Sequence, residues 1–306
     1  MRLGQTDLHV SPLGIGTWAW GDRLFWSYGQ GYGEPELAAA YRASIEGGIT
    51  FFDTAEVYGL GLSEQLLGRF YRDLGRPAVL ATKFMPLPWR WQRQCLLQAL
   101  RESNARLGVP TVDLYQIHWP VHFPVSLEGW MESLADAVDQ NLTRTVGISN
   151  YSTEQTRQAH QALQRRGIPL TSNQVEFSLV CRAPERNGLL KTCQELGVTL
   201  IAYSPLGMGI LTGKYTVDNP PPGARGLRFN RERLQKLQPL LGLLRELGQQ
   251  HGKTPAQVAL NWVMCKGAIP IPGAKNLRQA QENAGALGWQ LQPDQVTALD
   301  HASGGW

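Results

Sequence analysis

Eight short apolar segments, separated by stretches with helical periodicity, are the feature of this sequence that most constrains its fold. They cover residues 12–18, 51–55, 78–84, 112–119, 143–149, 170–177, 198–205 and 268–274. Each segment is rich in β-branched or aromatic residues and almost free of charge, as expected of parallel strands covered on both faces. The alternation of strand and helix therefore predicts an α/β fold with a parallel sheet.

The number and spacing of these units decide between an open sheet and a closed barrel. Helices are predicted over residues 34–46, 88–106 and 152–166, and each of them ends near a glycine. Eight evenly spaced units without a topological break favour a (β/α)₈ TIM barrel over a doubly wound sheet. Such barrels reach this length as one unit, so we expect a single domain over residues 1–306.

Two segments stand outside the repeating pattern. Residues 1–11 resemble a β-hairpin with a polar turn, and we expect this hairpin to plug the bottom of the barrel. Residues 206–233, which follow the seventh strand, contain Pro220, Pro221 and Pro222 and are too long for an ordinary connection. We interpret them as a loop that covers the active site and its cofactor.

Composition and charge narrow the range of partners. The chain is 42% hydrophobic and 18% charged with a net charge of +4, and its basic residues are scattered. This pattern argues against a nucleic-acid or membrane partner and suits a small anionic ligand. The four cysteines show no zinc spacing or paired motif, and no metal is expected. Neither a signal peptide nor an apolar span is recognisable, so the cytoplasm is the expected location; the oligomeric state stays open.

Residues 14–19 match the G-x-G-x-x-A fingerprint of dinucleotide-binding sheets. The residues that follow, 20–33, are aromatic and rich in glycine, and they cannot open the helix that this fingerprint requires. We therefore predict that any nucleotide site is not of the Rossmann type.

Functional groups of a parallel barrel lie at the carboxyl ends of its strands. The second segment ends at Asp53 with Tyr58 following, the third at Lys83 and the fourth at His118. Taken singly, these residues have plain structural interpretations as a cap, a loop aromatic, a surface charge and a core histidine. Together they would bring an acid, a phenol, an ammonium and an imidazole to one mouth.

Three segments that contain these residues, DTAEVYG, ATKF and LYQIHWP, resemble the signature segments of the aldo-keto reductase superfamily. The resemblance continues through GISN, NQVEF, AYSPLGMGILTGKY and PIPGAKN, so it extends over nearly the whole chain. The GAKN and LTGKY forms are most similar to the branch with bacterial reductases and potassium-channel β subunits. The resemblance implies a barrel that reduces aldehydes and ketones with NADPH, and it implies that Asp53, Tyr58, Lys83 and His118 are the catalytic tetrad.

These four residue types suit the reduction of a carbonyl group. Hydride attack on the carbonyl carbon creates an oxyanion that must be protonated and stabilised. Tyr58 would donate the proton, and Lys83 would lower the pKa of that phenol. Asp53 would hold the Lys83 ammonium, and His118 would orient the carbonyl oxygen.

The same resemblance implies the residues that hold the cofactor. Ser149, Asn150 and Gln174 would bind the nicotinamide carboxamide, and Tyr203 would stack beneath the ring. Lys214 and Arg225 would add charge near the pyrophosphate, although a solvated loop charge is an equally good interpretation of Arg225. The remaining positions are Gly16, Thr17, Trp18, Ser204, Pro205, Leu206, Gly207, Gly209, Gly273, Lys275, Gln279, Glu282 and Asn283.

One position departs from the family pattern. Many members that bind NADPH tightly have an arginine where this chain has Gln279. The contact to the 2′-phosphate would then fall mainly on Lys275, and a preference for NADPH over NADH would depend on that residue.

Tryptophans surround the mouth of the predicted barrel. We expect Trp20, Trp26, Trp89 and Trp119 to form an apolar wall around the substrate. A core role is the alternative for about half of such aromatic residues. The physiological substrate is left open.

Two other functions are compatible with the sequence. One is a nucleotide-occupied sensor or auxiliary subunit of low turnover, since a fold does not fix turnover. The other is a barrel hydrolase or isomerase that uses Asp53 and His118, but this leaves Lys83 and Tyr58 without a task.

Overall fold

Eight parallel strands follow one another in chain order around the sheet of this protein. The computed structural model describes residues 1–306, apart from the side chain of Ala224. A parallel bridge between Gly16 and Gly273 brings the last strand beside the first and closes the barrel. The strands are β1 (Gly14–Gly16), β2 (Phe51–Asp53), β3 (Val79–Phe84), β4 (Val112–Ile117), β5 (Thr143–Ser149), β6 (Leu170–Glu176), β7 (Thr199–Tyr203) and β8 (Ile269–Ile271).

Helices connect the strands and pack against the outside of the barrel. They are α1 (Glu34–Glu46), α2 (Leu62–Leu74), α3 (Gln94–Leu107), α4 (Leu127–Asp139), α5 (Thr153–Gln164), α6 (Ala183–Arg186), α7 (Leu189–Leu196), α8 (Ala224–Arg228), α9 (Arg231–His251), α10 (Pro255–Cys265), α11 (Leu277–Ala284) and α12 (Pro293–Ala302). The predicted (β/α)₈ TIM barrel is thus confirmed. Within the described part of the chain, no helix has the length and apolar character needed to span a membrane.

The ends of the helices follow local signals in most cases. Ser152 caps α5 and forms a capping box with Gln155. The helix predicted over residues 88–106 corresponds to α3. Its predicted start at residue 88 is wrong, because α3 begins at Gln94. Residues 88–93 form turns instead, and there the Arg90 guanidinium donates to the carbonyl oxygen of Met85 at 2.9 Å and pairs with Glu56.

The bottom of the barrel is filled by apolar side chains from two sources. Leu3, Leu8 and Val10 of the N-terminal segment pack into one cluster with residues of the strands, among them Phe51 and Leu114. An antiparallel bridge between Arg2 and His9 forms the base of the hairpin. The expected plug is therefore present, and the bottom is closed by packing.

The loop after β7 contains more regular structure than the sequence indicated. Residues Gly207–Thr212 form a 3₁₀ turn, α8 lies within the loop, and α9 begins at Arg231. Arg228 of α8 pairs with Glu176 at 2.6 Å, so the loop is held against the end of β6. This contact places the loop over the mouth of the barrel, as expected.

Candidate active site

A cavity of about 790 Å³ opens at the carboxyl ends of the strands. Side chains alternate along a strand, so residues two apart face the same side. Phe51 and Asp53 on β2, and Leu114 and Gln116 on β4, therefore face the interior of the barrel. The apolar member of each pair lies toward the plug, and the polar member lies toward the cavity.

A buried ion pair forms the floor of the cavity. Lys83 Nζ donates to Asp53 Oδ1 and, at 2.7 Å, to the carbonyl oxygen of Thr54. Lys83 has no exposed surface and Asp53 is 1% exposed. Burial lowers the pKa of Lys83, but Asp53 and Tyr58 together raise it above its ordinary value. Lys83 is therefore a charged ammonium at neutral pH.

Asp53 also accepts hydrogen bonds from two buried amides. Gln116 Nε2 donates to Asp53 Oδ2 at 3.0 Å, and Gln174 Nε2 donates to the same oxygen at 2.9 Å. With Lys83 on Oδ1, both oxygens of this carboxylate are bonded. The arrangement compensates a buried negative charge, which would be costly without partners.

Tyr58 and His118 face each other above this pair. Their ring centres are 5.6 Å apart and the planes are nearly perpendicular. Lys83 Nζ lies 5.1 Å from the centre of the Tyr58 ring. An ammonium has three donors, and the bonds to Asp53 and Thr54 use two of them, so one remains for the Tyr58 phenol. All four residues predicted as the tetrad are thus brought together.

Electrostatics set the protonation of both rings. Burial raises the pKa of Tyr58 above its ordinary value, and Lys83 opposes this shift. Lys83 lowers the pKa of the Tyr58 phenol, as expected, but the cost of burying a phenolate raises that pKa by more. Burial and the Lys83 charge lower the pKa of His118 to about 3. Tyr58 is therefore a neutral phenol, and His118 is a neutral imidazole at physiological pH.

Polar groups at the ends of β5 to β7 continue the cavity. Asn150 Nδ2 donates to the His118 carbonyl oxygen at 3.0 Å, and the Tyr203 hydroxyl donates to Asn150 Oδ1 at 3.0 Å. Ser149 Oγ donates to the Gln174 carbonyl oxygen at 2.8 Å. Asn150 has a positive φ of 65°, which asparagine tolerates better than most residues. These hydrogen bonds fix the orientation of the Ser149, Asn150 and Tyr203 side chains.

Positive charge is concentrated at the far end of the cavity. Lys214, Arg225 and Lys275 line this end. Burial lowers the pKa of Lys275 to about 8, with Arg225 and Lys214 adding to the effect. Three cations that disfavour one another create a site for an anion.

Most residues predicted to hold the cofactor line this cavity, and two lie behind its wall. Thr17 has no exposed surface and bonds to Ser63 Oγ at 2.8 Å. Gly207 is buried in the turn that follows β7. The residues that line the cavity are Gly16, Trp18, Ser149, Asn150, Gln174, Tyr203, Ser204, Pro205, Leu206, Gly209, Lys214, Arg225, Gly273, Lys275, Gln279, Glu282 and Asn283.

Two of the four tryptophans predicted for the substrate wall line the cavity, and two do not. Trp26 and Trp119 line the cavity. Trp20 instead lies in the core with no exposed surface, and its Nε1 donates to the Ala274 carbonyl oxygen at 2.9 Å. Trp89, in the turns before α3, is 69% exposed and lies outside the cavity lining. Neither Trp20 nor Trp89 lines the cavity.

Several cavity residues were missed by sequence reasoning. Val57 and Met85 line the wall beside Tyr58, and Arg278 adds a cation near Lys275. Val57 immediately precedes Tyr58, and Met85 lies two residues after Lys83, so proximity to the tetrad was an available signal. Arg278 gave no such signal, since its neighbour Gln279 occupies the position that the family pattern highlights.

Comparison with known proteins shows which family this chain matches. The model of the family described as "Aldo/keto reductase family" matches residues 12–303. The chain is 42% identical over 314 residues to the chloroplastic pyridoxal reductase of Arabidopsis thaliana, with 99% of this chain and 86% of the relative covered.

Two solved structures extend the comparison. A thermostable aldo-keto reductase in complex with the inhibitor epalrestat has a TM-score of 0.78 and 30% identity, with 99% of this chain and 98% of that chain covered. An aldo/keto reductase from Klebsiella pneumoniae in complex with NADP and acetate has a TM-score of 0.75 and 29% identity, with 98% and 94% covered.

Proposed function

Because the chain belongs to the aldo/keto reductase family, we propose that it reduces aldehydes to alcohols with NADPH and that Tyr58 supplies the proton. The observation that carries the proposal is the buried Asp53–Lys83 pair, with Lys83 5.1 Å from the Tyr58 ring. A phenol held beside a fixed ammonium can release a proton to a developing alkoxide, since the ammonium stabilises the phenolate that remains.

His118 has a complementary task. With a pKa of about 3 it stays neutral, so it does not compete with Tyr58 as the acid. A neutral imidazole can donate one hydrogen bond to the carbonyl oxygen and so orient it toward the phenol. The carbonyl carbon would then face the part of the cavity between Tyr58 and Gln174.

The residues present fit a dinucleotide. Amide, hydroxyl and phenol groups of Asn150, Ser149 and Tyr203 lie at the end near the tetrad, where a nicotinamide carboxamide needs donors and acceptors. Lys214, Arg225 and Lys275 lie at the other end, where phosphates need cations. When bound, NADPH would supply the hydride. The protein would hold it by these groups and would exclude water beneath the loop after β7.

The wall of the cavity and the relative both support the proposed class of substrate. Trp18 lies 5.0 Å from Phe25 in a stacked pair and 6.4 Å from Tyr58. Trp119 and Met85 complete an apolar opening next to His118. Such walls favour a flat ring that carries the aldehyde. Together with the identity to pyridoxal reductase, this supports pyridoxal as the substrate and pyridoxine as the product.

A direct assay tests the proposal. Purified protein is mixed with NADPH and pyridoxal, and the loss of dihydronicotinamide absorbance is followed with product analysis for pyridoxine. A nitrobenzaldehyde serves as a flat aldehyde without the pyridine substituents. Tyr58→Phe serves as the matched variant, because it removes only the hydroxyl group.

Each outcome decides a different part of the proposal. Turnover of both aldehydes that is lost in Tyr58→Phe supports the reductase and the role of Tyr58. Turnover of the nitrobenzaldehyde alone would contradict pyridoxal as the substrate. NADPH binding without turnover of either aldehyde would favour the nucleotide-occupied sensor instead.

A further inference from the structure

Gln116 is a buried amide at the floor of the cavity that is not a member of the tetrad. It has no exposed surface, and it lies on β4 two residues before His118. In the sheet its Cα is registered with that of Lys83 on β3. The residue therefore stands between the Asp53–Lys83 pair and the strand that carries His118.

The amide has defined partners on both of its ends. Nε2 donates to Asp53 Oδ2 at 3.0 Å. Oε1 accepts from Gln174 Nε2 at 3.4 Å and from Ser172 Oγ at 3.5 Å. A carboxylate can only accept, so this chemistry fixes which end of the amide faces Asp53.

The barrel also provides the space that this side chain occupies. Gly147 on β5 is registered with Gln116. A Cβ atom at Gly147 would lie 3.1 Å from Gln116 Cγ and 2.3 Å from Ser172 Oγ. A larger residue at 147 would clash with Ser172 Oγ and would crowd the Gln116 side chain. Glycine at this position is therefore matched to a glutamine at 116.

Gln116 and Gln174 share one oxygen of Asp53 but differ in their surroundings. Gln174 lines the cavity, where a bound nicotinamide would compete for its amide. Gln116 is enclosed by β3, β5 and Asp53 and has no ligand to turn toward. If Gln174 turned toward a bound nicotinamide, Gln116 would still donate to Asp53 Oδ2.

We propose that Gln116 is a positioning residue of the reaction: it fixes the Asp53 carboxylate, and through Asp53 it directs the Lys83 ammonium at Tyr58. The inference rests on the proposed reductase function. Loss of the amide removes a partial positive charge from Asp53, so the carboxylate charge is less compensated. A less compensated negative charge at Asp53 attracts the Lys83 ammonium more strongly. It also disfavours ionisation of the Tyr58 phenol.

Gln116→Leu is the first test, because leucine has a similar size and no donor. A hydrogen bond to a charged group is worth enough that kcat should fall about 10- to 100-fold. The KM for NADPH should change less than about threefold, since Gln116 lies behind the wall of the cofactor site. The alkaline limb of the kcat profile should move to higher pH, because Tyr58 becomes harder to ionise.

Gln116→Glu is the conservative partner of that variant. A protonated carboxyl group can donate the same hydrogen bond to Asp53, whereas an ionised one repels it. Activity should therefore be partly restored at acidic pH and should fall as the introduced group ionises. If Gln116 merely filled space, Gln116→Glu would not make the activity depend on pH in this way.

Two further measurements test the role of Gln116 separately from its neighbours and from turnover. Ser172→Ala removes a neighbour of Gln116 but leaves both amides on Asp53, so kcat and its pH profile should match the unaltered protein. The alkaline titration of Tyr58 is read as phenolate absorbance against Tyr58→Phe without cofactor. It should move to higher pH in Gln116→Leu even in a protein that reduces no aldehyde.

The results divide cleanly. If Gln116→Leu keeps the kcat, the pH profile and the Tyr58 titration of the unaltered protein, Gln116 is only a filler of the barrel and the inference is wrong. If the unaltered protein turns over no aldehyde but the Tyr58 titration still moves, the proposed function fails and the positioning role stands.

Discussion

Lys275 Nζ lies 4.5 Å from the centre of the Trp26 ring and 3.3 Å from the Trp26 carbonyl oxygen. The Arg225 guanidinium lies 5.8 Å from the same ring. Trp26 also meets Trp18 edge to face at 5.5 Å, and Trp18 stands beside Tyr58. One aromatic side chain therefore connects the cations of the cofactor end to the wall of the substrate end.

Trp26→Ala should consequently weaken the binding of both the cofactor and the substrate. Cation–π contacts of this kind contribute about 0.5–2 kcal/mol each, and they hold Lys275 and Arg225 in place for a phosphate. We expect NADPH affinity to fall by a similar amount and the KM for an aromatic aldehyde to rise. Isothermal titration and steady-state kinetics measure the two effects. Trp89→Ala is the matched control, because Trp89 is exposed outside the rim, and a loss of equal size in that variant would contradict the assignment.

NADPH binding should be linked to the protonation of Lys275. The pKa of this ammonium is lowered to about 8 in the free protein, and a bound 2′-phosphate would raise it. NADPH affinity should therefore be highest below pH 8, where Lys275 is protonated. It should fall as the pH rises through that value and Lys275 loses its proton. NADH lacks the phosphate, so its affinity should stay nearly flat across the same range. Parallel curves for both cofactors, measured by fluorescence titration, would refute the link.

Substitution tests the same contact from the other side. Lys275→Ala should weaken the binding free energy of NADPH by about 1–3 kcal/mol, as expected for a charge-assisted bond. The binding of NADH should weaken much less. Gln279→Arg places a cation where the family pattern has one, and it should tighten NADPH. It also removes the bond in which Gln279 Oε1 accepts from the Lys275 backbone N–H at 2.8 Å, so the net gain should be small.

The fold was predictable because its signal repeats eight times along the chain, whereas the direction of a single side chain depends on one turn. Trp18 and Trp20 are two residues apart and would share a face in a strand. The chain leaves β1 at Gly16, and the Trp20 N–H donates to the Thr17 carbonyl oxygen at 2.8 Å. This turn sends Trp18 to the cavity and Trp20 to the core. Sequence periodicity contains no information about it.

The meeting of the four proposed tetrad residues was predictable for a different reason: each stands at or just after a strand end, and the resemblance to the family then implied their catalytic roles. Gln116 was not singled out, although it precedes His118 by two residues and must face the same interior. Its importance depends on the distance to Asp53 Oδ2, which belongs to β2 and is set only by closure of the barrel. Contacts across the barrel interior are the part of the site that a linear pattern does not reveal.

Tyr58→Phe should lower kcat by several orders of magnitude and leave NADPH affinity nearly unchanged. Burial raises the pKa of Tyr58 above its ordinary value, so the proton donor persists through neutral and mildly alkaline pH. The rate of reduction should decline only where the phenol ionises. His118 adds no acidic limb above about pH 4, because its pKa is lowered to about 3. Single-turnover rates across this range check both limbs, and retention of more than about a tenth of the rate in Tyr58→Phe would remove Tyr58 from its role.

The loop after β7 should behave as a flap that the cofactor holds shut. Arg228 pairs with Glu176 at 2.6 Å, but both side chains are partly exposed, and such pairs contribute at most about 1 kcal/mol. This pair alone would not hold the exposed part of the loop closed, and NADPH should restrict its opening by giving Lys214 and Arg225 their phosphates. Limited proteolysis of residues 206–233 should slow as NADPH concentration rises. Lys214→Ala should raise the cofactor off-rate and leave the hydride step unaltered.

Arg228→Ala isolates the contribution of the loop's own contact. This variant should be cut faster than the unaltered protein without NADPH, because the pair with Glu176 is gone. Saturating NADPH should remove most of the difference, since the cofactor contacts of Lys214 and Arg225 remain. Arg231→Ala, at the exposed start of α9, is the control for removing a nearby charge. Equal cleavage of residues 206–233 with and without NADPH in the unaltered protein would show a static connection, because a flap closed by the cofactor has to be protected by it.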